Sequence, residues 1–466
     1  MGAGDQGQRR ARRLKVEPGH SWTAAIAARL AQETYDSLDA ETVASVKRLI
    51  ADGIAVAVAG SREPAPAIVA EHVRALEAKP EATVWGYGYK TTAQHAAYCN
   101  AVSMHVLDYE PMSSPPTHAV SPTVPAALAL AEALGAGGRE VVAACAKGFE
   151  LQGRVLLASS HERGSLPFHT PGVVGVMGST AAAAHLLGLE PPRIVHALGA
   201  AASRCSGLPA NTGSMVKGTH CGNAAAAGVE AALLARRGFT ASPNIFEAGD
   251  GYVETFFPRH FDYDALLQFG RPYRCVDPGM AIKFYPTKYP THFAIAAALG
   301  VRGRVGDVSR IRELRILTPD IDDADRAQPR SGLEGRFSFQ YTAAAALIDG
   351  RVGIDSFSDA RRFRPDMESL LAKIKVRRDP GRSRDTRNMQ VDIEVVMEDG
   401  AVHRGTCSAP PGSWGQPVDP VQHRAKLRDC LSVRLDEVGR ERVLESLARL
   451  EELSPGGLSR LVALLA

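Results

Sequence analysis

Between Ala40 and Ala59 the apolar residues Val43, Val46, Ile50, Ile54 and Val58 recur every three or four positions, while Lys47, Arg48 and Asp52 fall between them. That period places the first set on one face of a helix and the charges on the other. Helical spacing of Ala, Leu and Val continues from Thr23 to about Arg237, with Gly and Pro as punctuation. The runs Pro122–Leu134, Val174–Leu187 and Asn223–Arg236 are rich in alanine and glycine. Such small residues let helix backbones approach closely, so these runs predict buried helix hairpins. Gly172, Gly175 and Gly178 are spaced somewhat like a phosphate loop. No strand precedes them and no Lys-Ser/Thr pair follows, so tight packing is the better account.

After Pro272 the period changes. Ile311–Leu317 and Val391–Cys407 alternate apolar and polar residues, and Asp399-Gly400 divides the second stretch into two strands of a hairpin. Phe339–Ile348 and Asp366–Ile374 read as helices between these strands, and helix resumes from Pro420. The expected fold is mainly α: a large all-helical domain over residues 21–270, and a smaller α+β domain with an antiparallel sheet over 271–410. Residues 411–466 are expected to be helices returning to the first domain, and residues 1–20 a disordered tail. A chain of 466 residues exceeds what one core usually serves, which agrees with two domains.

Composition narrows the functional classes. The net charge is +3, with 54 basic and 51 acidic residues dispersed along the chain; there is no basic stripe of the kind nucleic-acid binding needs. Seven cysteines without a CxxC pair read as reduced thiols. No run approaches the ~20 apolar residues of a membrane span. The Arg-rich start has no apolar signal region, so a cytoplasmic location is expected, with a mitochondrial presequence as the alternative.

HExxH, GxSxG, Walker A and strand-linked GxGxxG signatures are absent, so any chemistry must come from dispersed groups. Four segments put ionisable residues at the ends of helical runs. In HVLDYEPMSSPPTHAVSPTVP a helix carrying His105 and Asp108 is expected to break at Pro111, with a loop delivering His118. A carboxylate such as Asp108 can hold that imidazole as acid or base; a simple helix cap is the competing reading. In FHTPG, His169 precedes a helix whose N-terminus favours anions, and it too suits a cap. In NTGSMVKGTHCGN, Lys217 and His220 stand among small residues just before an alanine-rich helix. A lysine there is either solvated or, if buried, in need of an anionic partner. In AIKFYPTKYPTH, Lys283, Lys288 and His292 gather around prolines at the domain junction, where ligands often bind and where surface charge is equally common.

Taken in this order, the four segments resemble the MmgE/PrpD family, which includes 2-methylcitrate dehydratases, cis-aconitate decarboxylases and iminodisuccinate epimerases. The likeness extends to LGLEPPRIVHALGAAAS from Leu187, GVEAALLARRGFTASPNIFEAGDGY from Gly228, SFQYTAAAALIDG from Ser338 and PPGSWGQPVDPVQHRAKL from Pro410. Asp108, His118, His169, Lys217, Lys283 and Tyr341 match the site positions of the cis-aconitate decarboxylase branch one by one. Three positions depart from that branch. Met112 stands where a threonine is expected, Lys288 where a histidine closes the turn, and Tyr285 where the turn has phenylalanine.

The resemblance implies a lyase acting on a small di- or tricarboxylate, without metal or cofactor, and a homodimer. Lys217 and Lys283 would anchor carboxylates and stabilise an enediolate. His118, oriented by Asp108, would move one proton, with His169 or Tyr341 handling the second. His220, Met112 and Lys288 would complete the substrate surroundings, and the smaller domain would close as a lid. An isomerase or epimerase of an amino- or imino-dicarboxylate, and a non-catalytic carboxylate-binding homologue, are the alternatives.

Overall fold

The computed structural model describes residues 21–160 and 166–466; the tail expected over residues 1–20 lies outside the described residues. Among the described residues, nine α-helices build the first half: α1 (Trp22–Gln32), α2 (Ala40–Gly60), α3 (Pro64–Arg74), α4 (Ala93–His105), α5 (Val120–Leu134), α6 (Gly138–Ala158), α7 (Thr170–Leu186), α8 (Pro191–Ala202) and α9 (Val216–Arg236). Their starts follow from side chains that satisfy free backbone N–H groups. Ser21 accepts from Ala24 N, Asp39 from Thr42 N and Thr92 from His95 N.

The α2 helix departs from the amphipathic reading. From Leu49 to Gly60 it is buried on every face, because α4, α5, α6 and the C-terminal Pro420–Ser432 helix surround it. Asp52 is therefore in the core rather than on a polar face, and both its oxygens accept from Lys426 Nζ at 2.8 Å. A carboxylate can be buried there only because a cation comes with it.

The glycines of α7 act through packing. A Cβ on Gly172 would lie 1.9 Å from the Ser206 carbonyl oxygen, and one on Gly178 2.1 Å from Gln152 Nε2. The helical domain is not purely helical, however. Ala82–Val84 (β1) and Tyr89–Thr91 (β2) form an antiparallel hairpin whose turn contains Gly86 and Gly88 at positive φ.

The smaller domain holds β3 (Ile311–Pro319), β4 (Ile374–Asp379), β5 (Val391–Met397) and β6 (Val402–Cys407) in the order β4-β3-β5-β6. The expectation of an antiparallel sheet is corrected here: β5 pairs antiparallel with β3 and β6, but β4 pairs parallel with β3. The chain between β3 and β4 includes the Phe339–Asp349 and Pro365–Leu371 helices, a crossover long enough to bring the strand back in the same direction. The second of these helices ends at Leu371, not at Ile374, which opens β4.

Each half has its own core. Phe293, Leu314, Phe339, Met367 and Val395 centre the smaller one. Leu427, Leu431, Leu444 and Leu461, from the C-terminal helices, join the larger core with α2 and α5. Among the described residues no helix is long and apolar enough to cross a membrane, and all seven cysteines are free. The overall class is mainly α with a smaller α+β part.

Candidate active site

Helix α4 ends at His105, three residues before Asp108, so Asp108 is not carried on the helix as expected. The chain turns there, with Asp108 N donating to His105 O at 3.0 Å and Asp108 in the left-handed region at φ 50°. A non-glycine residue in that region is uncommon and needs its surroundings to hold it.

Those surroundings are two lysines. Lys217 Nζ donates to Asp108 Oδ2 at 2.7 Å, and Lys283 Nζ donates to Oδ1. All three side chains are buried, Lys283 fully. Burial alone would raise the Asp108 carboxyl, but Lys217 and Lys283 hold it well below its usual range. Lys217 lies in the first turn of α9 rather than ahead of it, and its ammonium sits 5.4 Å from the centre of the Phe337 ring.

A second carboxylate organises the histidines. Glu110 is fully buried, and its Oε1 lies 2.5 Å from His105 Nδ1, 3.0 Å from His118 Nδ1 and 2.6 Å from Ser121 Oγ, which donates to it. Burial works to raise Glu110, and the two imidazoles outweigh it, holding the carboxyl well below the usual range. Burial, then Lys217, pushes His105 down to about 4, so near neutral pH it is an uncharged donor to Glu110. Asp108 was the carboxylate expected to orient His118, yet its Oδ1 is 3.7 Å from His118 Nε2. Glu110 Oε1 is the nearer carboxylate oxygen, against the opposite ring nitrogen, but its angle there is not that of a hydrogen bond, so the contact is one of charge and Nε2 is turned towards Asp108. The ligand atoms of His105, Glu110 and His118 lie within 4.8 Å of one another, a grouping that offers nitrogen and oxygen donors to a cation. Here both imidazole Nδ1 atoms converge on one carboxylate oxygen.

His169 occupies the N-cap position of α7 without a side-chain cap bond. Its Nδ1 lies 3.0 Å from His220 Nδ1, so one ring must donate and the other accept. Burial followed by Lys217 depresses both, His169 strongly. The His169 ring centre is 5.5 Å from that of His105 and 6.4 Å from that of His118, which extends the cluster into a row of imidazoles.

Three expected members sit differently. Tyr341 is not brought to the cluster: it is fully buried in the smaller core, and its hydroxyl donates to Ser356 O at 2.5 Å. Ser338 caps that helix by accepting from Tyr341 N, and the ring lies against Phe357 in that core. The Met112 side chain also packs into the smaller core, while its backbone pairs with Ala281 across the domain boundary. Lys288 is at the edge of the cluster and spends its ammonium on Asp323; burial lowers it and Asp323 opposes.

Residues that single-segment reading overlooked are Glu110, Phe337 and Arg336. Arg336 is buried, and its Nη1 donates to Val106 O at 2.9 Å, which ties the end of α4 to the smaller domain. Only Glu110 had a local signal, as a second acid two residues after Asp108. His292, in the fourth segment, is fully buried with its ring centre 5.0 Å from that of Tyr289. Burial, then Lys283, pushes it well below the usual imidazole range.

Comparison with known proteins agrees with this architecture. Residues 24–264 match the MmgE/PrpD N-terminal domain and residues 285–452 the MmgE/PrpD C-terminal domain. The chain is 30% identical to the cis-aconitate decarboxylase of Mus musculus over 421 residues, covering 87% of this chain and 86% of the relative. It is also 30% identical to that of Homo sapiens over 427 residues, 87% of each. A 2-methylcitrate dehydratase from Cupriavidus necator is 27% identical over 284 residues, 57% of each chain.

Proposed function

The chain belongs to the MmgE/PrpD family and is a lyase of that type; from that premise we propose that it removes carbon dioxide or water from a small di- or tricarboxylate. A cis-aconitate-like acid is the first choice, because two relatives that match nearly the whole chain are named for that decarboxylation. The observation that carries the reading is the trio of Asp108, Lys217 and Lys283, buried with Asp108 Oδ1 3.7 Å from His118 Nε2.

Lys217 and Lys283 bring two ammonium groups to one carboxylate, so each keeps N–H donors that Asp108 does not use and a substrate anion can take. In a water-poor setting such charges act more strongly than in bulk solvent. A substrate carboxylate would share the lysines with Asp108. Loss of carbon dioxide, or removal of a proton ahead of water loss, leaves negative charge on carbon and carboxylate. Fixed ammonium groups lower that barrier if they meet the charge as it develops.

His118 is the group placed to move the proton. Its Nδ1 lies against Glu110 and its Nε2 faces the Asp108 side of the cluster, so Nε2 is the nitrogen placed to give or take a proton. His169, braced by His220, stands behind as a second exchanger. Lys283, Lys288 and Phe337 come from the smaller domain and the rest from the helical body, so relative motion of the two would admit substrate and complete the site. We extend the proposal to a homodimer, on the family resemblance.

The test is to incubate the purified protein with cis-aconitate, 2-methylcitrate and iminodisuccinate-type acids in deuterated buffer and follow the products by NMR. Carbon dioxide or water loss is the expected outcome. Folded protein that consumes none of these acids would remove the reading.

A further inference from the structure

Asp108 and Glu110, the two carboxylates that organise the cluster, leave the chain on either side of Tyr109, and that residue is clamped at three points. Its carbonyl accepts from Lys426 Nζ at 3.0 Å, its ring lies 4.2 Å below the same ammonium, and its hydroxyl donates to Phe284 O at 3.2 Å. Lys426 belongs to the Pro420–Ser432 helix, far along the chain. Its other donors go to both oxygens of Asp52 at 2.8 Å, and Asp52 Oδ2 also lies 2.9 Å from His423 Nε2. Asp52 is fully buried, Lys426 nearly so.

We propose that Lys426, held by Asp52 and His423, is a positioning residue of the active site, setting the direction of the Asp108 and Glu110 carboxylates through the Tyr109 carbonyl. The physical basis is the backbone at Asp108. Aspartate tolerates the left-handed region better than most residues, but the Asp108 side chain is taken by Lys217 and Lys283, so its conformation depends on those lysines and on what holds the following peptide. A rotation of the Tyr109 peptide would swing Asp108 off Lys217 and Lys283, and Glu110 off His105 and His118, in one motion. The ammonium carries three N–H groups and the structure uses all three, so it fixes a direction as well as supplying charge. The Tyr109 hydroxyl extends the clamp to Phe284, the neighbour of Lys283, so both domains' contributions share one reference point.

The proposal rests on the active-site reading above, so its test includes a readout that needs no substrate. The variant is Asp52→Asn combined with Lys426→Met, which removes the clamp without leaving a buried charge unpaired. The control is Lys47→Met combined with Glu451→Gln. That pair, 2.6 Å apart, also ties α2 to the C-terminal segment but makes no bond to residues 108–110. Ring 15N spectra of histidine-labelled protein report the surroundings of His105 and His118 directly.

In the clamp variant the His105 and His118 resonances are expected to move. The kcat is expected to fall about 10- to 100-fold, with KM changed far less, since misplacement of about 1 Å can cost that much. The control is expected to keep the wild-type resonances and kcat. Unmoved histidine resonances in the clamp variant, or equal shifts in the control, overturn the proposal. If the double variant does not fold, Lys426→Arg carries the test: it keeps a cation for Asp52, but its planar fork cannot place a donor at the Tyr109 carbonyl in the same direction, and it is expected to move the same resonances; unmoved resonances in a folded Lys426→Arg overturn the proposal. Wild-type protein that turns over none of the acids overturns the functional reading instead, and the histidine comparison still decides the positioning role.

Discussion

One oxygen atom, Glu110 Oε1, faces His105 Nδ1, His118 Nδ1 and Ser121 Oγ, and this sets the residue-scale expectations. Glu110→Gln removes the charge and half of the accepting capacity while keeping the shape. It is expected to lower kcat by about 10²-fold with the fold intact, because the charge beside His118 Nδ1, itself anchored by His105 and Ser121, is lost. His118→Ala removes the exchanging group itself and is expected to cost about 10²–10⁴-fold in kcat, as general acid–base groups do. Steady-state assays on the substrate found by NMR check both, and near-normal turnover in either variant contradicts the assigned role.

Acid sensitivity follows from the same residues. His105 is pushed down to about 4 from an ordinary 6.5. Between those values the unfolded chain binds the proton and the folded one does not, so stability falls as pH drops from about 6.5 towards 4. Asp108 and Glu110, both depressed, add stability that is present above their unfolded values near 4 and lost as pH falls further. Melting temperatures measured across a buffer series are expected to decline below about pH 6.5. A flat profile down to pH 4 contradicts the buried neutral imidazole.

At the scale of elements, the alanine- and glycine-rich helices owe their closeness to missing side chains. Gly228 of α9 faces α7, and a Cβ there would lie 2.2 Å from Ser179 Oγ and 2.6 Å from the Thr180 backbone nitrogen. Glycine to alanine inside an exposed helix normally stabilises by about 1 kcal/mol. Here the sign reverses, because α7 and α9 must separate to admit the methyl group. Gly228→Ala is expected to destabilise by about 1–3 kcal/mol, read from the urea midpoint. Since α7 begins at His169 and α9 carries Lys217 and His220, the same change should also lower activity. The elements were legible to different degrees. Periodicity located α2, α5, α7 and α9 to within a few residues, apart from the start of α9, where Lys217 was read as loop. Their burial was less legible: Asp52 obeys helical spacing and still lies in the core, because what covers α2 arrives from the far end of the chain. The parallel β4 was missed because Ile374–Asp379 is a short, half-exposed strand whose alternation lasts only from Ile374 to Arg377 and follows closely on a helical run.

For the whole molecule, the decisive feature is the junction where two cores meet. Met112 and Ala281 exchange backbone hydrogen bonds there, and Arg336 reaches across to the end of α4. Addition of a tightly held tricarboxylate is expected to slow amide hydrogen exchange in residues 105–118 and 281–288 together, by at least about ten-fold. Protection confined to one of the two segments would argue against a shared site. Sedimentation is expected to show a dimer.

The sequence alone determined the mainly α class, the change of period near Pro272, and the chemical types available at each segment end. Those depend on short-range spacing and on residue identity, and they can be read without knowing what lies opposite. Tertiary structure alone decided that Glu110 rather than Asp108 reaches His118 Nδ1. It also put both lysines on Asp108, and turned Tyr341 to Ser356 and away from the cluster. The lysine pairings are set by distances of a few ångströms between segments more than a hundred residues apart, and the choices at His118 and Tyr341 by a backbone turn and a core that surround them; local pattern carries no record of either.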